Sequence, residues 1–190
     1  MIELLNCDCM EYMATVPDKY FDLSIVDPPY GIGRDGSKQT KTKRKGRNYA
    51  RKAHEFKGWD NATPNKTYFD ELMRISKNQI IWGANYFSEF LPPSMGWIFW
   101  DKGQDLSMSD GELAYTSFNR ALRRVKINRG QLMVEGGTIH PTQKPIKLYD
   151  WIIQNYCAEA NLILDTHVGS GSSRIAAAKA GKKCIGFEID

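Results

Sequence analysis

The sequence predicts an α/β domain built on a mostly parallel sheet with helices on both faces. Three observations lead there. Short apolar runs alternate with segments of helical periodicity along the whole chain. The runs are close to continuously hydrophobic, as strands covered on two faces are. Two of them stop abruptly, one at an acid followed by a double proline ("FDLSIVDPPYGIG", 21–33) and one at an acid followed by glycines ("LDTHVGSGS", 164–172). A chain of 190 residues suits one such domain, because a core of this size forms without staples or metals.

Taken in order, "IELLN" (2–6) and "FDLSIVD" (21–27) read as strands, separated by a short helix in "CMEYMATV", where Met10, Met13 and Ala14 share a face. A basic loop and a helix near "YFDELMRIS" (68–76) come next. "NQIIWGANYF" (78–87), "WIFWDK" (97–102) and "ELAYTSF" (112–118) continue the sheet. After a second basic loop, "IKLYDWIIQNYC" (146–157) places Leu148, Ile152, Ile153 and Tyr156 on one helical stripe. "NLILD" (161–165), the Ala-rich helix "SSRIAAAKA" (172–180) and the strand "CIGFEI" (184–189) complete the pattern. There is no internal repeat and no long linker.

Composition narrows the function. No run of 18 apolar residues occurs and the N-terminus lacks a signal core, so a soluble, intracellular protein is expected. Cys7, Cys9, Cys157 and Cys184 show no metal or disulfide spacing, and His54, His140 and His167 are scattered, so no metal site is expected. The net charge of +4 is unevenly spread: residues 34–57 hold ten Lys/Arg against two acids, and residues 119–130 hold five and none. Outside them 11 bases face 20 acids. Basic side chains interleaved with Asn48, Tyr49, Phe56 and Trp59 suit a polyanion with stackable bases, which makes nucleic acid the leading partner.

In open α/β sheets ligands bind beyond the carboxyl ends of the strands, which is where Asp27 and the turn after Asp165 fall. The glycine loop is no phosphate cradle, since no G-K-[ST] closes it and Arg174 stands where a third glycine would be. Glu188 ends the next strand, where an acid can accept hydrogen bonds from both hydroxyls of a ribose. A nucleoside cofactor without a pyrophosphate site is the remaining reading. In Asp27-Pro28-Pro29-Tyr30 the prolines hold the chain extended and contribute no N–H, leaving the Asp27 carboxylate and the Pro28 carbonyl as two acceptors. Such a pair fits an exocyclic amino group, with Tyr30 as a stacking face. "FLPPSM" (90–95) has the same dipeptide without an acid or an aromatic and is assigned no function.

With "DPPY" at 27–30, "LDTHVGSGS" at 164–172, "HPTQKP" at 140–145 and the acid of "GFEID", the sequence resembles the S-adenosylmethionine-dependent DNA amino-methyltransferases. The tetrad precedes the glycine loop, as in the permuted β class. The resemblance implies a Rossmann-like methyltransferase fold with a seven-stranded sheet, one strand antiparallel, and spans nearly the whole chain. It implies that Asp27, Pro28, Pro29 and Tyr30 bind and present a flipped base. Asp165, Gly169, Ser170 and Gly171 would line the methionine end of the cofactor, joined by His140, Thr142 and Lys144, while Asp8 contacts its adenine and Glu188 its ribose. His140 and His167 are structural rather than catalytic on this reading. The first tetrad residue favours adenine N6 over cytosine N4, for which Ser-Pro-Pro-Tyr is more usual. RNA or a glutamine side chain as acceptor, and a nucleic-acid-binding protein without turnover, are the other readings.

Double-stranded DNA is the expected partner through loops 34–57 and 119–130, with 31–66 and 119–137 as target-recognition insertions in a single domain. A bacterial or phage-encoded monomer or homodimer, working in restriction–modification, is implied. The loop departs from relatives at Thr166, His167 and Val168. The sequence also stops at Asp190, just after the ribose acid, where relatives continue into a helix.

Overall fold

The computed structural model describes residues 1–36, 40–44, 47–51, 53–103 and 109–189, with side chains outside 40–51. β1 (Ile2–Leu5), α1 (Cys9–Thr15) and β2 (Phe21–Val26) precede the first basic segment, which folds as an antiparallel hairpin, β3 (Thr40–Arg44) and β4 (Arg47–Arg51). Next come α2 (Lys66–Ile75), β5 (Ser76–Trp82), β6 (Trp97–Asp101), β7 (Gly111–Thr116) and β8 (Arg123–Lys126). The short α3 (Gln131–Val134), α4 (Ile146–Tyr156), β9 (Leu162–Asp165), α5 (Ser172–Lys179) and β10 (Lys183–Phe187) complete the order.

The main sheet runs β1-β10-β9-β2-β5-β7-β6-β8. Every pairing is parallel except the two made by β7, which is therefore the single reversed strand. The sheet thus has eight strands where the sequence suggests seven. The addition is β8, "RRVK", which lies in the second basic loop and adds to β6 at the sheet edge. Only Val125 of β8 is buried, so no apolar alternation marks it; charged side chains at an edge also discourage pairing with another chain. The hairpin is likewise invisible to hydrophobic pattern, because "TKTKR" and "RNYAR" hold almost no apolar residues. The strand read as 78–87 ends at Trp82, since Gly83 turns left-handed (φ 68°) and two single turns of 3₁₀ helix come after it.

Strand alternation splits the core into two layers. Leu23, Ile25, Ile80 and Trp82 face α4 and α5 through Leu148, Ile152, Ala176 and Ala177. Val26, Ile81 and Leu164 face α1 and α2 through Met13, Phe69, Leu72 and Ile75, joined by Phe21 at the start of β2. Phe69, Leu72 and Ile75 are fully buried at helical spacing, each worth roughly 1.5–3 kcal/mol. Both helices on that face start on a side-chain cap: Asp8 accepts from the Met10 amide (2.8 Å) and Asn65 from the Tyr68 amide (3.2 Å). At the opposite end of the strands Asp22 binds Lys77 and the amides of Asn161 and Leu162, tying β2, β5 and the start of β9. The cation and those donors hold its carboxyl down at about 2.

Candidate active site

Because β2, β9 and β10 run parallel and in register, with Ser24 beside Leu164 and Gly186 beside Asp165, their carboxyl ends share one edge. Asp27, the loop after Asp165 and Glu188 all emerge there. They open on one cleft of about 410 Å³. Asp27 and Pro29 line it together with Val168, Gly169, Ser170 and Glu188. His140, Thr142, Gln143 and Lys144 add the segment before α4, and Lys57 and Trp59 reach in from the return of the basic arm.

Asp27 is held from two directions. The Tyr30 hydroxyl donates to its Oδ1 (2.6 Å), and the Lys144 ammonium donates to its Oδ2. Lys144 is itself buried; its Nζ lies 3.1 Å from the Tyr30 hydroxyl and 3.2 Å from Glu112 Oε2, and Glu112 Oε1 bonds Lys102 at 2.8 Å. The result is an alternating chain of charges, Asp27, Lys144, Glu112, Lys102. Burial alone would push the Lys144 ammonium down, but the Asp27 and Glu112 carboxylates outweigh it and raise its pKa, so the cation stays charged. Burial likewise opposes ionisation of Glu112, yet Lys144 and Lys102 bring its carboxyl to about 2. Burial, then the neighbouring Asp27 charge, pushes the Tyr30 phenol well up, so it remains a donor. Glu112 reaches this edge because β7 is reversed: the start of that strand lies where its neighbours end.

The Tyr30 ring stacks on Tyr86 (centroids 5.1 Å apart, planes at 17°) and rests over Gly83, where a Cβ would come within 2.0 Å of it. Only glycine fits beneath that ring.

The glycine loop is tied from behind. Gly169 (φ 50°) and Gly171 (φ 77°) take left-handed conformations, and α5 starts directly after the second. The Gly169 amide donates to Glu188 Oε2 (2.6 Å) and the Ile189 amide to Oε1 (3.1 Å). Asp165 turns inward, accepting from the Ser173 hydroxyl and from the His167 amide (3.1 Å), and burial raises its carboxyl to about 6. His167 is pushed down to about 4 by burial, against a smaller opposing pull from Asp8, so its ring is neutral. His140 pairs through Nδ1 with the Thr142 hydroxyl (3.2 Å) and stacks on Trp59 (5.4 Å, 24°).

Of the residues singled out in the sequence, Asp27, Pro29, His140, Thr142, Lys144, Gly169, Ser170 and Glu188 line the cleft. Asp8, Pro28, Tyr30, Asp165 and Gly171 do not line it: Asp8 caps α1, Tyr30 braces Asp27, and Asp165 staples the loop to α5. Lys144 sits on the tetrad as well as on the cleft. Sequence reasoning misses Lys57, Gln143, Tyr149, His167, Ser172 and Ile189 as wall residues, and Glu112 as the second partner of Lys144. It registers Trp59 only as an aromatic among basic residues. Side chains of the arm between 40 and 51 lie outside the described residues, and in the second basic segment Arg120 is already engaged, over the Tyr156 ring at 4.4 Å and on the Asn155 carbonyl. Among the described residues no helix is long and apolar enough to cross a membrane.

The profile of a family described as DNA methylase matches residues 37–190. The chain belongs to the N6/N4 DNA methylase family. Consistent with that, it is 24% identical to YubD of Escherichia coli (strain K12), provisionally named a methylase, over all of this chain and 85% of that protein. A stretch of 51 residues, 27% of this chain and 19% of the relative, is 41% identical to the type II methyltransferase M2.DpnII of Streptococcus pneumoniae. The fold of the methylase matches the crystal structure of the M1.HpyAVI–SAM complex with a TM-score of 0.62 and 19% identity, over 100% of this chain and 94% of that one. It matches the cytosine-N4-specific PvuII DNA methyltransferase with a TM-score of 0.60 and 14% identity, over 100% and 82%. Family membership makes DNA the substrate of this methylase and an exocyclic amine, adenine N6 or cytosine N4, the acceptor.

Proposed function

We propose that the chain methylates N6 of adenine in duplex DNA with S-adenosylmethionine as donor, and that Asp27, Pro28 and Tyr30 present the base. The observation that supports methyl transfer is the cleft shared by Asp27 and the Gly169–Glu188 pair, and what favours adenine over cytosine is Asp27 as the first residue of the tetrad. A cleft of about 410 Å³ is in the range for a nucleoside-sized ligand. The residues fit this donor: Glu188 offers a carboxylate at the end of β10, and Gly169 and Ser170 present a wall with little side-chain bulk. What the donor contributes when bound is a methyl group activated by positive sulfur.

The rest falls to the chain. An exocyclic amine attacks poorly while its lone pair is delocalised into the ring. The Asp27 carboxylate and the Pro28 carbonyl accept its two N–H bonds and draw them out of plane. Tyr30 steadies that carboxylate, and its ring is itself held by stacking on Tyr86. Methyl transfer leaves the nitrogen with a surplus proton, for which Asp27 is the base within reach; Lys144, held charged, is not. Fixing the amine in line can supply up to roughly 7–11 kcal/mol of the catalysis. Flipping the base costs a few kcal/mol, offset by phosphate contacts from the basic segments 34–57 and 119–130. Residues 31–66 and 119–137 are proposed as the target-recognition insertions, and Arg123 and Arg124 stand exposed on the edge strand.

Sequencing plasmid DNA from cells expressing the chain, with modified bases called at each position, tests the reading. N6-methyladenine at a fixed site is expected, and its loss with Asp27→Ala. N4-methylcytosine instead, or normal modification by Asp27→Ala, would overturn it.

A further inference from the structure

The basic arm leaves the fold directly after the tetrad and re-enters just before α2, so its two ends form a neck beside Tyr30. Two buried aspartates stitch that neck from opposite sides. Asp35, on the outgoing segment, accepts from the Lys57 amide (2.9 Å) and from the Gly58 amide. Asp60, on the returning segment and only 2% exposed, accepts from the amides of Tyr30 (2.7 Å) and Gly31 (2.8 Å) on Oδ1 and of Arg34 (2.7 Å) on Oδ2. Its carbonyl takes the Gly33 amide at 3.0 Å. The neck is also tight: a Cβ on Gly36 would meet Cγ of Phe56 at 2.6 Å.

The Asp60 contacts fall on a particular place in the tetrad. Pro28 and Pro29 have no N–H, so the first main-chain donor after Asp27 is that of Tyr30. Asp60 holds this donor, while the hydroxyl of the same Tyr30 holds Asp27. Tyr30 is thus a rigid lever with Asp60 at one end and the acceptor carboxylate at the other. The same returning segment supplies Lys57 and Trp59 to the cleft wall, with Trp59 stacked on His140.

We infer that Asp60 is a positioning residue through which the placement of the basic arm sets the geometry of the tetrad. Arm and acceptor site are one mechanical unit, and DNA held by the arm is registered to Asp27 through Asp60. The inference rests on the reading of Asp27–Tyr30 as the acceptor site.

The test is single-turnover methylation of duplex DNA by Asp60→Ala and Asp60→Asn, expressed per cofactor-competent site, beside duplex affinity measured by anisotropy. Asp60→Ala should lose roughly 10²-fold in rate, the scale of a small misplacement of reacting groups. Asp60→Asn keeps one acceptor oxygen but turns an NH₂ toward the Arg34 amide, and should fall between Ala and wild type. Duplex affinity should change by less than about threefold, because the arm itself is intact. An Asp60→Asn rate within threefold of wild type overturns the inference, and so does a rate that falls only in step with lost DNA affinity. If neither variant binds cofactor, Asp60 serves folding and the inference fails. Asp27→Ala in the same assay separates the two levels: an inactive Asp27→Ala beside a fully active Asp60→Asn defeats the inference alone, whereas an active Asp27→Ala defeats the site reading with it.

Discussion

The buried ammonium of Lys144 donates to the carboxylate of Asp27 across 117 residues of chain, and Glu112 Oε2 waits 3.2 Å away on its other side. One cation therefore serves two carboxylates. Substituting Lys144→Met leaves two partly buried carboxylates without their shared partner; because Asp27 keeps the Tyr30 hydroxyl and Glu112 keeps Lys102, the cost should fall below the roughly 3–5 kcal/mol of an uncompensated buried charge. The urea midpoint should drop and methyl transfer should fall, and Lys144→Arg should restore part of both. A Met variant with native stability and turnover would contradict this arrangement.

Asp165 gives a pH signature. Burial raises its carboxyl from 3.8 to about 6, so the protonated form is favoured by folding. The associated stability is fully present below about pH 4 and is lost as pH rises through about 6, amounting to roughly 3 kcal/mol. Asp165→Asn stays neutral throughout and escapes that loss. Its stability relative to wild type, from urea unfolding, should rise by about that amount between pH 4 and pH 7. A difference that does not vary with pH would refute the assignment. Glu112 acts with opposite sign at lower pH: its carboxyl is depressed to about 2, so its contribution disappears only as pH falls from about 4.5 toward that value.

Gly83 tests the placement of Tyr30. A methyl group there meets the ring and is strained by the left-handed backbone. Gly83→Ala should lose roughly 1–3 kcal/mol in stability and displace Tyr30 from Asp27, lowering turnover more than cofactor affinity. Calorimetric binding of the donor beside single-turnover rates would show the split; equal losses in both would count against it.

The parts of the molecule legible in the sequence are those written in local pattern. Seven strands announce themselves by apolar runs, and Asp27, Gly169 and Glu188 by their position at strand ends. β8 and the β3–β4 hairpin are not so written, because Lys and Arg occupy positions where alternation would show. Glu112 and Asp60 have no local signal either. Each is an acid in an ordinary setting until the fold brings Lys144 to one and the amides of residues 30–34 to the other. Lys144 is legible in its motif, but its tie to Asp27 depends on a contact that spacing along the chain does not reveal.

The reversal of β7 has a consequence for how such a surface can be furnished. Seven co-directional strands can deliver side chains to the working rim only as they exit the sheet, and each exit leads into a loop. The one strand that enters from that rim brings Glu112 on rigid, hydrogen-bonded backbone instead, so the counter-charge for Lys144 is set by sheet geometry and not by the conformation of a connection.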